Sequence, residues 1–150
     1  MKSKHILVAS LLGLASFTPL HSADAKTVEV SAFDTMKYSV MKIEATPGQK
    51  ITVELKNEGN IPKEAMAHNW VLLKAGEDPV AYSTAAMTAK AEGYEPKALA
   101  SKVLAAIALV GPKESGKVTF TAPTSPGSYN YLCTFPAHCM AGMRGVLVVK

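Results

Sequence analysis

A group of residues able to bind a soft metal ion lies near the C-terminus of the chain. Cys133, His138 and Met143 follow one another with four residues in each interval, between two strand patterns. A further histidine, His68, lies far upstream, two residues before the strand pattern that begins with Trp70. A thiolate, two imidazoles and a thioether are the ligand set of a mononuclear blue-copper site. One rigid arrangement of these four ligands can hold both Cu(I) and Cu(II), so the residue types and their spacing predict a centre that exchanges one electron.

The same residues admit three other interpretations. Cys133 and Cys139 could form a disulfide if the chain is exported to an oxidising compartment. Cys133 and His138 could be a nucleophile and its base, although no third orienting group stands out. Zinc could take the imidazoles and both thiolates, but zinc sites more often recruit a carboxylate or second thiolate than a methionine. Copper is favoured because it accounts for Cys133, His138 and Met143 together, and the other interpretations stay open.

The first 25 residues predict a cleaved export signal. A basic start precedes an apolar run over residues 6–17, and Ala23-Asp24-Ala25 fits the small-x-small cleavage pattern. An apolar run of about 12 residues is too short to span a bilayer, which needs about 20. We therefore predict cleavage after Ala25 and a periplasmic protein with no stable membrane insertion. Of the four histidines in the chain, only His68 and His138 lie beyond this segment.

Composition excludes several classes of protein. The chain has 150 residues, of which 48% are hydrophobic and 19% charged, as in a globular domain. Sixteen basic and 12 acidic residues give a net charge of +4, and no run of Lys or Arg stands out. With aromatic residues at only 7%, nucleic-acid binding has little support. A single domain over residues 26–150 is expected.

Alternation of apolar and polar residues predicts short strands through most of this domain. The strand patterns cover residues 28–32, 51–55, 70–73, 118–120, 129–133 and 146–149. Turn-forming Gly, Pro and Asn clusters separate them, and about seven strands of this kind predict an all-β, two-sheet antiparallel sandwich. Residues 79–106 differ, because they are rich in alanine and other helix formers, and we predict a helical insertion there.

Two segments give the chain a family resemblance. Residues 58–63 and 66–72 resemble the azurin segment around its first histidine ligand. Cys133-Thr134-Phe135-Pro136 with His138 is similar to the azurin C-terminal ligand loop. The chain thus resembles the azurins of the cupredoxin family of blue-copper proteins, over nearly all of residues 26–150. The resemblance implies a Greek-key cupredoxin sandwich, with the helical insertion in the position of the azurin helical flap.

The resemblance also implies how one copper ion would be held. His68, Cys133 and His138 would be its equatorial ligands, and Met143 the long axial ligand. The carbonyl of Ala67 would approach the ion from the opposite side. The interval from His138 to Met143 is five positions, against four in azurins, and is more like that of auracyanin and plastocyanin.

Further residues take roles around the ligands by the same resemblance. Asn69 would tie the two ligand segments together, and the backbone N–H of Phe135 would point at the cysteine sulfur. Met36, Met66 and Ala137 would form an apolar patch around an exposed His138, where redox partners dock.

These implications lead to a functional expectation. The protein should be a monomeric carrier of single electrons between redox proteins, with His138 as the electron port and no enzymatic turnover. The alternative is a copper chaperone or buffer that gives up its metal, and a thiol enzyme is a more distant one. Cys139 has no counterpart in the family; we expect a free thiol that closes a disulfide with Cys133 when metal is lost under oxidation.

Overall fold

Two β-sheets packed face to face make up most of the protein. The computed structural model describes residues 24–150, so nearly all of the predicted export signal, residues 1–25, lies outside the described residues and stays a prediction. The strands in this part of the chain are β1 (Lys26–Phe33), β2 (Lys37–Tyr38), β3 (Lys42–Ala45), β4 (Lys50–Asn57), β5 (His68–Leu73), β6 (Val103–Val110), β7 (Ser115–Thr121), β8 (Gly127–Leu132) and β9 (Arg144–Val149).

The predicted sandwich is confirmed, and its two sheets are mixed. One sheet has the order β2-β1-β4-β7, and the other has the order β3-β9-β8-β5-β6. The pairs β1–β4 and β3–β9 are parallel, whereas the remaining pairs are antiparallel. The chain crosses to the second sheet in β3 before it returns in β4, and β4 therefore runs in the same direction as β1.

Alternating burial fixes which side of each strand faces the core. In β4, Ile51, Val53 and Leu55 are fully buried, whereas their neighbours are exposed or half-buried. These side chains pack against Trp70 and Leu72 of the opposite sheet in one hydrophobic core. Strand β5 is buried at all six positions, because its second face is also covered.

The cover over that second face is the predicted insertion. A one-turn helix, α1 (Lys63–Met66), precedes β5, and the insertion after β5 consists of helix α2 (Pro79–Ala86) and two 3₁₀ turns, Lys90–Glu92 and Lys97–Lys102. The Asp78 side chain accepts a hydrogen bond from the Val80 N–H at 2.8 Å, and proline takes the first helical position. The insertion ends earlier than the predicted residue 106, because Val103 begins β6. Pairing of β6 with β5 overrides the helix propensity of its alanines.

Candidate metal centre

The four predicted metal ligands lie at one end of the sandwich. His68 is the first residue of β5, and Cys133 directly follows β8. These strands are antiparallel neighbours, so the start of β5 lies beside the end of β8. The loop of residues 133–143 then carries His138, and Met143 is its last residue before β9. Sheet pairing alone therefore brings together residues that are 65 positions or more apart in the sequence.

The ligand atoms converge within hydrogen-bond range of one another. The Nδ1 atoms of His68 and His138 are 3.2 Å apart, and the Cys133 Sγ lies 3.4 Å from the His138 Nδ1. Among residues 24–150 these three form the one group of His, Cys, Asp or Glu side chains placed to share a metal, with ligand atoms within 4.8 Å of one another. Met143 is fully buried; its N–H donates to the His138 carbonyl at 2.9 Å, and its carbonyl accepts from the Cys133 N–H at 3.0 Å.

Burial controls the protonation of these groups. It raises the pKa of the Cys133 thiol to about 12, against the opposing effect of two backbone N–H groups, those of Asn69 and Phe135. Burial, with a smaller contribution from the neighbouring His68, lowers the pKa of His138 to about 4. The pKa of His68 is lowered by burial as well, partly offset by Asp34. Without a metal the site is therefore a neutral thiol beside two neutral imidazoles.

This donor set fits copper. Two imidazole nitrogens and one sulfur converge in a buried group that includes no carboxylate among the described residues, and neutral imidazoles are ready to ligate. A bound cation deprotonates a ligating thiol outright, which removes the cost of a lone buried thiolate. The backbone N–H groups of Asn69 and Phe135 already lie against that sulfur, where they would stabilise its negative charge.

The depressed histidine pKa predicts how the metal-free protein responds to pH. His138 titrates near 6.5 when unfolded and at about 4 when folded, so the unfolded chain takes up a proton first as pH falls. The contribution of His138 to the free energy of unfolding should thus be fully present above pH 6.5 and should decrease by about 3 kcal/mol as the pH falls to 4. Urea unfolding of metal-free protein across this range measures it. If the free energy of unfolding of a His138→Asn variant decreased just as steeply with falling pH, other groups would be responsible for the effect.

A buried hydrogen-bond pair joins the two ligand-bearing segments. The Asn69 side-chain amide donates to the Thr134 hydroxyl at 2.7 Å, and its Oδ1 accepts from the Thr134 N–H at 2.8 Å. Both residues are fully buried. Asn69 follows His68, and Thr134 follows Cys133, so this pair fixes the separation of the two ligands. Ala67, directly before His68, is buried with an extended backbone.

His138 is more enclosed than the sequence suggested. Only 2% of the residue is exposed, which corrects the expectation of an exposed histidine. The Phe135 ring packs against its imidazole, with ring centroids 4.8 Å apart. Of the predicted patch residues Ala137 is exposed, whereas Met36 and Met66 are half-buried.

Cys139 lies in a different environment from Cys133. Both cysteines are free, and Cys139 packs in a small cluster beneath α2 with Leu73, Tyr82 and other apolar residues. Its thiol donates to the Pro79 carbonyl at 3.5 Å. Cys133 instead belongs to the main core on the other face of the second sheet. The structure agrees with a free Cys139 thiol, and the disulfide expected after metal loss under oxidation stays a prediction.

Tyr38 is a neighbour of the site that sequence analysis missed. Its buried hydroxyl donates to the Asn69 carbonyl, and Tyr38 lies in the same core cluster as Cys133. Burial, followed by the nearby Cys133, raises the pKa of this phenol well above its usual range. The two-residue strand that holds Tyr38 carries no local pattern that indicates a position beside the metal ligands.

The fold and the site together define a class: a β-sandwich protein with a buried copper centre at one end. A profile of the family described as copper binding proteins, plastocyanin/azurin family, matches residues 25–150. The chain belongs to this family of blue-copper proteins, whose members transfer electrons to redox partners.

Individual relatives agree with this assignment. Auracyanin-B of Chloroflexus aurantiacus is 35% identical over 132 residues, covering 87% of this chain and 54% of that protein, so this chain spans about half its length. Azurin of Pseudomonas aeruginosa is 35% identical over 150 residues, covering 98% of this chain and 99% of that protein. The crystal structure of dithionite-reduced auracyanin from Roseiflexus castenholzii superposes with a TM-score of 0.73 at 34% identity, covering 86% of this chain and 98% of that one.

The methionine ligand can be tested by substitution. Replacing Met143 with leucine should leave copper and colour in place but raise the reduction potential, because a weak axial thioether mainly tunes the electronics of the site. Loss of the thioether leaves a drier, apolar side, which disfavours the more highly charged Cu(II). Voltammetry of both proteins measures the shift. An unchanged potential and spectrum would show that Met143 is not the axial ligand.

Proposed function

We propose that the protein is a monomeric, periplasmic carrier of single electrons that exchanges them with redox proteins and performs no enzymatic reaction of its own. The observation that carries the proposal is the buried convergence of Cys133, His68 and His138, with Met143 bonded to the loop that holds them. Bound copper supplies the one-electron redox couple. No helix in the described residues is both long and apolar enough to cross a membrane.

The protein's own groups would keep the site rigid during electron exchange. We assign His68, Cys133 and His138 as equatorial ligands and Met143 as the axial ligand, with the Ala67 carbonyl on the opposite side. Two backbone N–H groups hold the sulfur, and the Asn69–Thr134 pair holds the ligand segments. A site fixed in this way moves little between oxidation states, which keeps electron exchange fast.

Electrons would enter and leave near His138. The imidazole is buried, but the preceding residue in the loop, Ala137, is exposed, and half-buried Met36 and Met66 complete the assigned apolar patch. Met140 in the same loop is 66% exposed and adds a thioether to the surface of that loop. A small apolar face of this kind favours brief contacts with partner proteins, because no strong ion pair has to break on release.

A visible spectrum with redox cycling tests the proposed function. The copper-loaded protein should show intense visible absorption and return to it through repeated one-electron reduction and oxidation. A copper chaperone or buffer would instead lack this colour and hand its metal rapidly to an acceptor chelator. The burial of Cys133 and Met143, both 0% exposed, opposes rapid metal transfer. A colourless protein that releases copper within seconds would overturn the proposal.

A charge placed in the patch tests the route of electron exchange. Ala137→Asp should slow electron exchange between oxidised and reduced copies by about tenfold or more, because the contact must then desolvate two carboxylates. Ala137 has a φ of 69°, a conformation that aspartate tolerates better than most residues. Line broadening in NMR spectra of mixed redox states measures the rate. The matched control adds the same charge at the exposed Ala108 of β6, where the rate should stay unchanged.

The export signal is proposed separately. The family profile begins at residue 25, the last residue of the predicted signal, which supports a domain boundary beside the predicted cleavage position. Mass spectrometry of protein purified from the periplasm should show a chain that begins at Lys26. A full-length chain retained in the cytoplasm would refute this part of the proposal.

A further inference from the structure

A line of closely spaced aromatic rings runs through the core away from the metal centre. The rings of Tyr38 and Tyr131 have centroids 5.9 Å apart, and Tyr131 lies 5.2 Å from Trp70. All three are buried, at 5%, 0% and 0% exposure. Spacings of 4.5–7 Å are those of direct ring contact. Tyrosine and tryptophan are also the side chains that undergo one-electron oxidation most readily among aromatic residues.

One end of this line touches the metal centre. The Tyr38 hydroxyl donates to the carbonyl of Asn69, the residue directly after the assigned ligand His68, and Tyr38 lies in the same buried core cluster as Cys133. Because Asn69 follows one assigned ligand and Cys133 is another, Tyr38 links the line of rings to the metal-binding segments.

The other end of the line approaches the surface at the link between β2 and β3. The Tyr131 hydroxyl donates to the Val40 carbonyl at 2.8 Å. Its ring packs directly over Gly145. A Cβ added to Gly145 would lie 2.3 Å from the Tyr131 hydroxyl oxygen and 2.6 Å from the Met41 carbonyl oxygen. Glycine at this position therefore leaves room for the phenol to reach Met41, a residue that is 52% exposed.

We propose that Tyr131 and Tyr38 form a tyrosine relay that carries oxidising equivalents from a strong one-electron oxidant at the Met41 surface to the Cys133 sulfur. The inference rests on the proposed copper function, and it adds a second, oxidant-facing electron route to the His138 port. Only a high-potential one-electron oxidant can drive this route, because the couple that copper provides in ordinary electron transfer is too weak to oxidise a phenol.

The electrons and protons of the relay balance. The oxidant takes one electron from Tyr131, whose hydroxyl proton shifts along its hydrogen bond to the Val40 carbonyl oxygen. Tyr131 regains an electron from Tyr38, whose proton shifts to the Asn69 carbonyl oxygen in the same way. Tyr38 would regain one electron, by way of the ligand segments, from a reduced copper ion held by His68, Cys133 and His138, which would end one electron more oxidised. Each proton returns when its ring is reduced, so the net change is one electron from the metal site to the oxidant.

A tethered photo-oxidant tests the relay. Met41→His allows a ruthenium polypyridyl complex to be attached at the surface end of the line, and flash oxidation then generates the oxidant in place. In the labelled, reduced copper protein, the visible band of the oxidised site should appear about tenfold or more slowly with Tyr131→Phe or Tyr38→Phe. The matched control is Tyr129→Phe, two residues along β8, where the hydroxyl also bonds a carbonyl, that of Ser125. That variant should keep the wild-type rate.

A second measurement does not depend on the metal. Flash oxidation of the labelled, metal-free protein should leave a tyrosyl radical in its electron paramagnetic resonance spectrum, and Tyr131→Phe should remove most of that signal while Tyr129→Phe keeps it. Equal rates in the Tyr131→Phe and parent proteins, or a radical signal unaffected by Tyr131→Phe, would overturn the relay. Failure of the relay leaves the blue spectrum and redox cycling intact, whereas failure of the proposed function removes both.

Discussion

Replacing Cys133 with serine should abolish the intense visible absorption of the copper-loaded protein. The colour of a blue-copper site comes from charge transfer between the thiolate and copper, and a serine hydroxyl is a hard, weak ligand. Serine is close in size to cysteine and occupies the same buried position against the Asn69 and Phe135 N–H groups. The fold should therefore survive, and the loss of colour should report on the ligand. Absorption titration with Cu(II) measures it directly.

The second cysteine provides the control for this experiment. Cys139 is equally buried and six positions away, but it packs beneath α2 on the other face of the sheet. Cys139→Ser should therefore keep the full visible band. If Cys133→Ser stayed intensely coloured and Cys139→Ser lost its colour, the ligand assignment would be reversed. Colour loss in both variants would indicate that the loop needs both thiols to fold around the metal.

Much of the site could be predicted from the sequence because its ligands have distinctive chemistry. Cys133, His138 and Met143 lie within one short loop, so their spacing is visible in the chain itself. His68 is one of only two histidines beyond the predicted export signal, and the segment around it resembles a known ligand segment. The strands could be predicted for a similar reason, since apolar residues alternate with polar ones along β4 and form its inward face.

What the sequence did not reveal depends on contacts between distant segments. The parallel pairing of β1 with β4 follows from the chain crossing between sheets, which no local pattern encodes. Val103 begins a strand although alanines follow it, because β5 offers a partner. The enclosure of His138 depends on the Phe135 ring, and the position of Tyr38 beside Cys133 depends on the packing of two sheets. Tertiary contacts override local propensity in each case.

The buried pair between Asn69 and Thr134 should be the largest stability determinant near the site. Asn69→Ala removes both hydrogen bonds, at 2.7 and 2.8 Å, and leaves the Thr134 N–H and hydroxyl unpaired in a fully buried position. Each buried polar group left without a partner costs about 1–3 kcal/mol, so the free energy of unfolding should fall by about 2–4 kcal/mol. Urea unfolding of the metal-free protein measures this, with a lower midpoint at unchanged m-value.

A change of this size should also reach the metal site, because the pair joins the residues that follow His68 and Cys133. Loosening their separation should broaden the visible band and shift the reduction potential of the copper-loaded variant. The matched control is Asn130→Ala on β8, where the amide makes one longer bond, 3.3 Å, to the Glu77 carbonyl. Its unfolding free energy should change by less than about 1 kcal/mol, with the spectrum intact. Equal destabilisation by the two variants would show that Asn69 acts as an ordinary buried amide. A loss of stability together with a changed spectrum in Asn69→Ala alone would show that one hydrogen-bond pair fixes both the fold and the geometry of the metal ligands.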